Sequence, residues 1–110
     1  MNAFLDLQLV SVSGPETFVG FDGAISEEPV AIGRGTEAAV RLDDPSVSRE
    51  HAELMFKDGG VHIRDVGSRG GTSVNMMRLE SEEAVRLHDR DILLVGPWKL
   101  LVRIPEDKPP

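Results

Sequence analysis

The chain has 110 residues, 40% apolar and 28% charged, an ordinary globular balance for one compact domain and too short for two. Twelve Lys and Arg against nineteen Asp and Glu leave a formal charge of −7, which repels nucleic acid and anionic membrane and excludes a general DNA or RNA binder. The lack of Cys excludes a disulfide framework, a Cys-ligated metal site and a thiol nucleophile.

The first 33 residues contain Asp6, Glu16, Asp22, Glu27 and Glu28 but no Lys or Arg. Arg34 is the first basic residue, so any anion-binding surface has to be assembled after Gly33. Leu5, Leu7 and Leu9 alternate with Asp6 and Gln8, and Val10 and Val12 follow in the opposite phase, which predicts a strand with a bulge. Val30 to Ile32 and Val40 to Leu42 are short β-type runs. Ala52, Leu54 and Phe56 alternate with Glu53, Met55 and Lys57, as Val61 and Ile63 do with His62 and Arg64. An Asp58-Gly59 turn between them would pair Phe56 with Val61 and Leu54 with Ile63, which places both apolar sets on one face of a hairpin. Thr72 to Asn75 is another β-type run. Leu79 to Leu87 could form one or two helical turns, with Ser81 as cap and Glu80, Glu82 and Glu83 in the first turn, although Val85 to Leu87 also reads as β. Ile92 to Val95 is the longest all-aliphatic stretch, far below the ~20 residues of a membrane span. Trp98, Leu100, Val102 and Ile104 form a one-faced strand, and residues 105–110 read as a Pro-rich tail or linker. The N-terminus lacks the basic start and apolar run of a signal peptide. These features predict a soluble cytoplasmic protein without membrane insertion, built as an all-β sandwich whose function lies in its loops.

Three loops carry candidate chemistry. Gly33-Arg34-Gly35 ends a strand with an Arg whose fork suits phosphate or carboxylate, or is simply solvated. In Ser48-Arg49-Glu50-His51, a hydroxyl stands beside a cation, a useful pair for phosphate oxygens; equally, Ser48 caps a turn and His51 holds the loop backbone. The loop Asp65-Val66-Gly67-Ser68-Arg69-Gly70-Gly71-Thr72 is dense in glycine and reads either as a flexible connection or as a backbone phosphate cradle. It lacks the Lys-Ser/Thr and following helix of a nucleotide P-loop. Ser48, His51 and Asp65 could be recruited as a hydrolytic triad, but no Gly-x-Ser-x-Gly elbow exists. His51, His62 and His88 are each isolated from further metal ligands at i+2 to i+4, so no metal site is expected.

Taken in order, Gly33-Arg34, Ser48-Arg49-Glu50-His51 and Ser68-Arg69-Gly70-Gly71-Thr72-Ser73-Val74-Asn75 closely resemble the forkhead-associated (FHA) domain. The resemblance extends from about Leu5 to Ile104 and includes Leu87-His88-Asp89-Arg90-Asp91-Ile92. It implies a single domain over 1–110 with its core at about 5–104, an eleven-stranded two-sheet β-sandwich of the FHA/SMAD-like type, and a phosphopeptide site in the loops at one end. By resemblance, Arg34 and Ser48 are the phosphate ligands, Arg49 adds a charge-assisted contact, and Arg69 and Gly70 lie where the last loop meets the peptide. Gly33, His51, Gly71, Thr72 and Asn75 support the site. The implied partner is a phosphothreonine-containing protein, or a phosphorylated segment of the same chain, downstream of a Ser/Thr kinase, and the resemblance implies no enzyme activity and no cofactor. The chain departs from the family pattern at Gly70, where an Asn usually clamps the peptide backbone, and at Met76, where a Gly often completes the turn.

Overall fold

The one-faced alternation of the apolar residues decides the layers. In the computed structural model, which describes residues 3–107, Leu5, Leu7 and Leu9 of β1 (Phe4–Ser13) are buried while Asp6 and Gln8 face outward. The same rule holds in β5 (Ala52–Lys57), β6 (Gly60–Asp65) and β11 (Trp98–Arg103), where Ala52, Leu54, Phe56, Val61, Ile63, Trp98, Leu100 and Val102 are buried. Each sheet thereby hides one face, and two such faces packed together make a sandwich. Residues 108–110 of the expected Pro-rich tail lie outside the described residues.

The remaining strands are β2 (Gly20–Ser26), β3 (Val30–Gly33), β4 (Val40–Arg41), β7 (Thr72–Val74), β8 (Met77–Arg78), β9 (Ala84–Arg86) and β10 (Ile92–Val95). The described residues thus form eleven strands, in a six-stranded sheet of order β2-β1-β11-β10-β7-β8 and a five-stranded sheet of order β4-β3-β5-β6-β9. In the β5–β6 hairpin, Phe56 pairs with Val61 and Leu54 with Ile63. Asp58 and Gly59 both take positive φ, 50° and 77°, as a two-residue turn with the twist of its strands requires. Trp98 is the largest fully buried side chain. Its indole N–H donates to the Pro15 carbonyl at 3.0 Å and its ring meets Phe18 edge-on at 6.5 Å, so the polar end of the indole is satisfied inside the core.

Two expectations are corrected. Val10 and Val12 do not switch into the core. They are 43% and 56% exposed, and the irregularity against β11 falls between Ser11 and Ser13. Val10 stays on the outer face because the alternation runs unbroken from buried Leu9 and the register shifts only beyond Ser11; there it stands opposite the half-buried Leu101 of β11, a cross-strand apolar pair. Leu79 to Leu87 is not helical either. Glu82 takes φ 68° and donates its N–H to the Asp65 carbonyl at 2.8 Å, which stops a helix before its second turn; Ala84–Arg86 then pairs with β6.

The topology places three connections at one end of the sandwich, namely those after β3, before β5 and after β6. The β10–β11 turn backs them, since a Cβ on Gly96 would come within 2.7 Å of Val47 and 3.0 Å of Ser46.

Candidate functional site

The site begins where β3 ends. Gly33 is buried against the next loop so closely that a Cβ there would lie 2.0 Å from the Arg49 carbonyl oxygen. That approach lets the Arg34 N–H donate to the Ser48 carbonyl at 2.9 Å and the Gly35 N–H to the Arg49 carbonyl at 3.2 Å. Arg34 is half-buried, with Nε donating to the Val47 carbonyl at 3.0 Å. One edge of its guanidinium is thereby anchored, which leaves the Nη1 and Nη2 groups without a protein partner among the described residues.

Ser48 is held from three sides. Its backbone N–H donates to His51 Nδ1 at 3.0 Å, and its hydroxyl oxygen accepts the Arg69 N–H at 3.1 Å. Since the hydroxyl already accepts, its own hydrogen is available to donate to an anion. His51 is fully buried. Because Nδ1 accepts from a backbone N–H, Nε2 carries the proton and donates to the Gly71 carbonyl at 2.9 Å. One imidazole therefore ties the loop before β5 to the loop after β6. Both ring nitrogens are engaged by backbone groups, so Ser48, His51 and Asp65 are not arranged as a hydrolytic triad.

The β6–β7 loop is organised by Asp65, a role its place in the sequence did not reveal. Its carboxylate is buried and accepts the Gly67 N–H at 2.9 Å, the Ser68 N–H at 2.8 Å, the Ser68 hydroxyl at 2.5 Å and the Thr72 hydroxyl at 2.7 Å. Burial pushes its pKa up, but the bonds from Ser68, Thr72 and Gly67 together outweigh burial and hold it below the ordinary value of 3.8. Ser68 passes the order on, accepting the Gly71 N–H at 2.9 Å. The available signal was an Asp followed by Gly two positions later and by a hydroxyl at the third, the pattern of an Asx turn. Gly71 adopts φ 82°, and a Cβ there would strike the Arg78 guanidinium at 2.7 Å. Gly70 has no left-handed φ.

These loops enclose an open pocket of about 420 Å3 bounded by Arg34, Ser48, Arg49, Arg69 and Gly70, with Pro45, Ser46 and Val47 as one wall. All five sequence-derived contact residues meet there. Among the described residues, the guanidinium groups of Arg49 and Arg69 have neither a hydrogen bond nor a carboxylate partner. Asp44 lies behind the wall, its Oδ1 accepting the Ser46 N–H and hydroxyl at 2.9 and 2.6 Å. The Ser46 hydroxyl and N–H lower the Asp44 pKa. Of the support residues, Gly33, His51, Gly71 and Thr72 hold the loops. Asn75 does not reach them: at the other end of β7, its side chain donates to Asp91 at 3.0 Å and accepts the Ile92 N–H at 2.9 Å. Among the described residues there is no group of three potential metal ligands, and no helix long and apolar enough to cross a membrane. Three convergent cations, a free hydroxyl donor and no lining carboxylate suit a compact, doubly charged tetrahedral anion.

Residues 30–96 match the family model of the FHA domain. The oxoglutarate dehydrogenase inhibitor of Corynebacterium diphtheriae is 36% identical over 93 residues, 84% of this chain but 62% of that protein, so the chain spans less than two thirds of this relative. Among solved structures, one from a structural and functional analysis of phosphothreonine-dependent FHA domain interactions superposes with a TM-score of 0.74 at 29% identity, covering 90% of this chain and 96% of that one. The FhaA FHA domain, solved in complex with the intracellular domain of Rv3910, gives 0.72 at 30% identity, covering 88% and 99%.

Proposed function

The chain belongs to the FHA domain family, and from that premise we propose that it is a phosphothreonine-dependent, non-catalytic interaction module acting downstream of a Ser/Thr kinase. The observation that carries this reading is the convergence of Arg34, Ser48, Arg49 and Arg69 on one pocket from three loops. Arg34 and Ser48 hold the phosphate, Arg49 and Arg69 complete its charge, and Gly70 lies under the peptide backbone. The whole chain serves as one such domain. Its partner is a protein bearing phosphothreonine, or a phosphorylated segment of the same polypeptide, and no cofactor takes part.

A phosphothreonine carries roughly −1.5 to −2 charges near neutrality, and each charge-assisted hydrogen bond contributes about 1.5–3 kcal/mol. Screening a degenerate phosphothreonine peptide library against its unphosphorylated copy tests the proposal. Selective retention of the phosphorylated library is the expected result. Equal retention of both would favour a second reading, a phosphate-independent scaffold of the same fold, for which Gly70 is the supporting observation.

A further inference from the structure

An antiparallel sheet that faces water on one side normally sets apolar residues inward and polar residues outward. The outer face of the six-stranded sheet breaks that rule at its centre. Val10 of β1 stands opposite Leu101 of β11, and Leu101 opposite Ile92 of β10; Leu94, two residues further along β10, lies on the same face. Val10 is 43% exposed and the other three are half-buried. On the far side of Val10, β2 places Gly20, which offers no side chain. These residues form a contiguous apolar patch with a polar rim, the mark of an interaction surface.

The rim carries charge of both signs, sorted by strand. On the β1–β2 side Asp6 and Asp22 are exposed, with Asp22 opposite Gln8 and Gln8 opposite Arg103. On the β10–β11 side stand Lys99, Arg103 and, in the turn before β10, Arg90, whose side chain is 80% exposed. Asp89 accepts from Arg103 at 3.0 Å and lies 3.9 Å from Arg90, so it offsets one of these cations and leaves that side basic. A wholly acidic or wholly basic partner is repelled by one half of this rim. A second copy of the same face is not, because each half can meet its opposite.

Two copies stacked face to face are related by a two-fold axis lying in the interface. An axis across the strands lays β11 on β11 and brings Arg103 towards Lys99 of the second copy. An axis along the strands, between β1 and β11, lays β1 on β11 and β2 on β10. Val10 then meets Leu101 of the second copy, Gly20 makes room for Ile92 of the second copy, and Asp22 approaches its Arg90 and Arg103. Only the second arrangement covers the apolar row and pairs the charges. The β10–β11 turn, which backs the pocket loops, then points the same way in both copies, so both pockets stay open at one end of the pair.

We propose that the outer face of β2, β1, β11 and β10 is the interface of a symmetric homodimer, held by Val10, Leu101 and Ile92 and oriented by Asp22 against Arg90. Its formation does not depend on phosphothreonine. Four strands ~4.8 Å apart make a contact smaller than the roughly 800 Å2 per partner that stable complexes bury, so the dimer forms and dissociates reversibly.

Sedimentation velocity at physiological ionic strength, from about 10 µM to about 1 mM protein, compares the native chain with Val10→Lys, Asp22→Lys and Met77→Lys. Met77 is 74% exposed but pairs with the buried Val74 and so lies off this face. The native chain should pass from monomer to dimer as concentration rises, and Met77→Lys should follow it. Val10→Lys should remain monomeric, and Asp22→Lys should need about tenfold more protein to dimerise. Melting curves check that the variants fold; if Val10→Lys does not, Asp22→Lys, at an exposed position, decides alone. Because the chain has no Cys, Asp22→Cys and Arg90→Cys each carry a single thiol. A short bismaleimide should join these two proteins to each other faster than either to itself. A native chain that is monomeric throughout, association unchanged in a folded Val10→Lys or in Asp22→Lys, association lost equally in Met77→Lys, or preferential joining of Asp22→Cys to itself overturns the proposal.

Discussion

His51 shows how much of the pocket depends on a residue that never lines it. Its ring accepts from Ser48 and donates to Gly71, and both partners are backbone groups in different loops. In His51→Ala each would lose its partner in a buried setting, at a cost of about 1–3 kcal/mol apiece, with a further loss from the cavity. Urea denaturation should therefore show a loss of roughly 3 kcal/mol or more, together with weaker phosphopeptide binding. Gly70 poses the opposite question, because there the chain lacks a side chain that the family usually has. Its φ is not left-handed, so Asn can take the same backbone conformation; a Cβ would lie 3.2 Å from the Ser46 carbonyl oxygen, which must give by a few tenths of an ångström. Gly70→Asn supplies an amide that both donates to and accepts from a peptide backbone. A phosphothreonine peptide should then bind several-fold more tightly, mainly through slower dissociation, with the melting temperature nearly unchanged. Unaltered affinity in a stopped-flow and equilibrium comparison would show that the peptide does not pass over this position.

Among the elements, the β6–β7 loop is kept in shape by a carboxylate and is therefore sensitive to acid. Asp65 has a folded-state pKa below the ordinary 3.8, so near that pH the unfolded chain binds more protons. The stabilisation is present above the unfolded value and is lost as pH falls through the folded one. Stability measured by urea midpoints should fall as pH drops below about 5, and Asp65→Asn should be less stable at neutral pH with a shallower acid limb. Asp89, whose pKa is lowered chiefly by the Ile104 N–H and further by Arg103, adds to the same limb in both proteins. The β7–β8 turn is strained: Asn75 and Met76 take φ of 50° and 70°, the left-handed pair that a two-residue hairpin turn demands. Met76 is 80% exposed and gains no packing in return. Met76→Gly should relieve about 1 kcal/mol and raise the melting temperature by a few degrees, leaving phosphopeptide affinity unchanged. These elements also show what the sequence could and could not disclose. The β5–β6 hairpin was legible because its period, its turn residues and its register all agree. Strand β2 was not, since Gly20-Phe21-Asp22-Gly23-Ala24 has neither alternation nor β-branched content and is held by pairing with β1. Leu79 to Leu87 misled because acidic residues that suit a helix start suit a turn equally well, and Asp65, distant in sequence, captures the Glu82 N–H. The pocket residues were readable from their motif. The hydrogen bonds that tie the loops to one another were not, because they join residues as far as 20 and 21 positions apart.

At the scale of the whole molecule, a net charge of −7 and an anion-binding pocket are compatible because of distance. At physiological salt the Debye length is about 8 Å, so acids more than that distance away are screened from the pocket, while in the proposed complex Arg34, Arg49 and Arg69 would act on the phosphate at contact range. The acidic N-terminal hairpin and the basic loop cluster come from different stretches of the chain. Affinity for a phosphopeptide should accordingly weaken with added salt while remaining measurable at physiological ionic strength. The central claim is that the phosphate itself sits among Arg34, Ser48, Arg49 and Arg69. Heteronuclear NMR titration of the 15N-labelled protein with a phosphothreonine peptide, repeated on Arg34→Ala, tests it most directly. The account predicts that the largest amide shifts fall on Arg34, Ser48, Arg49, Arg69 and Gly70, and that Arg34→Ala weakens binding more than tenfold while keeping a folded spectrum. Shifts confined to another face, or an affinity untouched by the loss of Arg34, would contradict it.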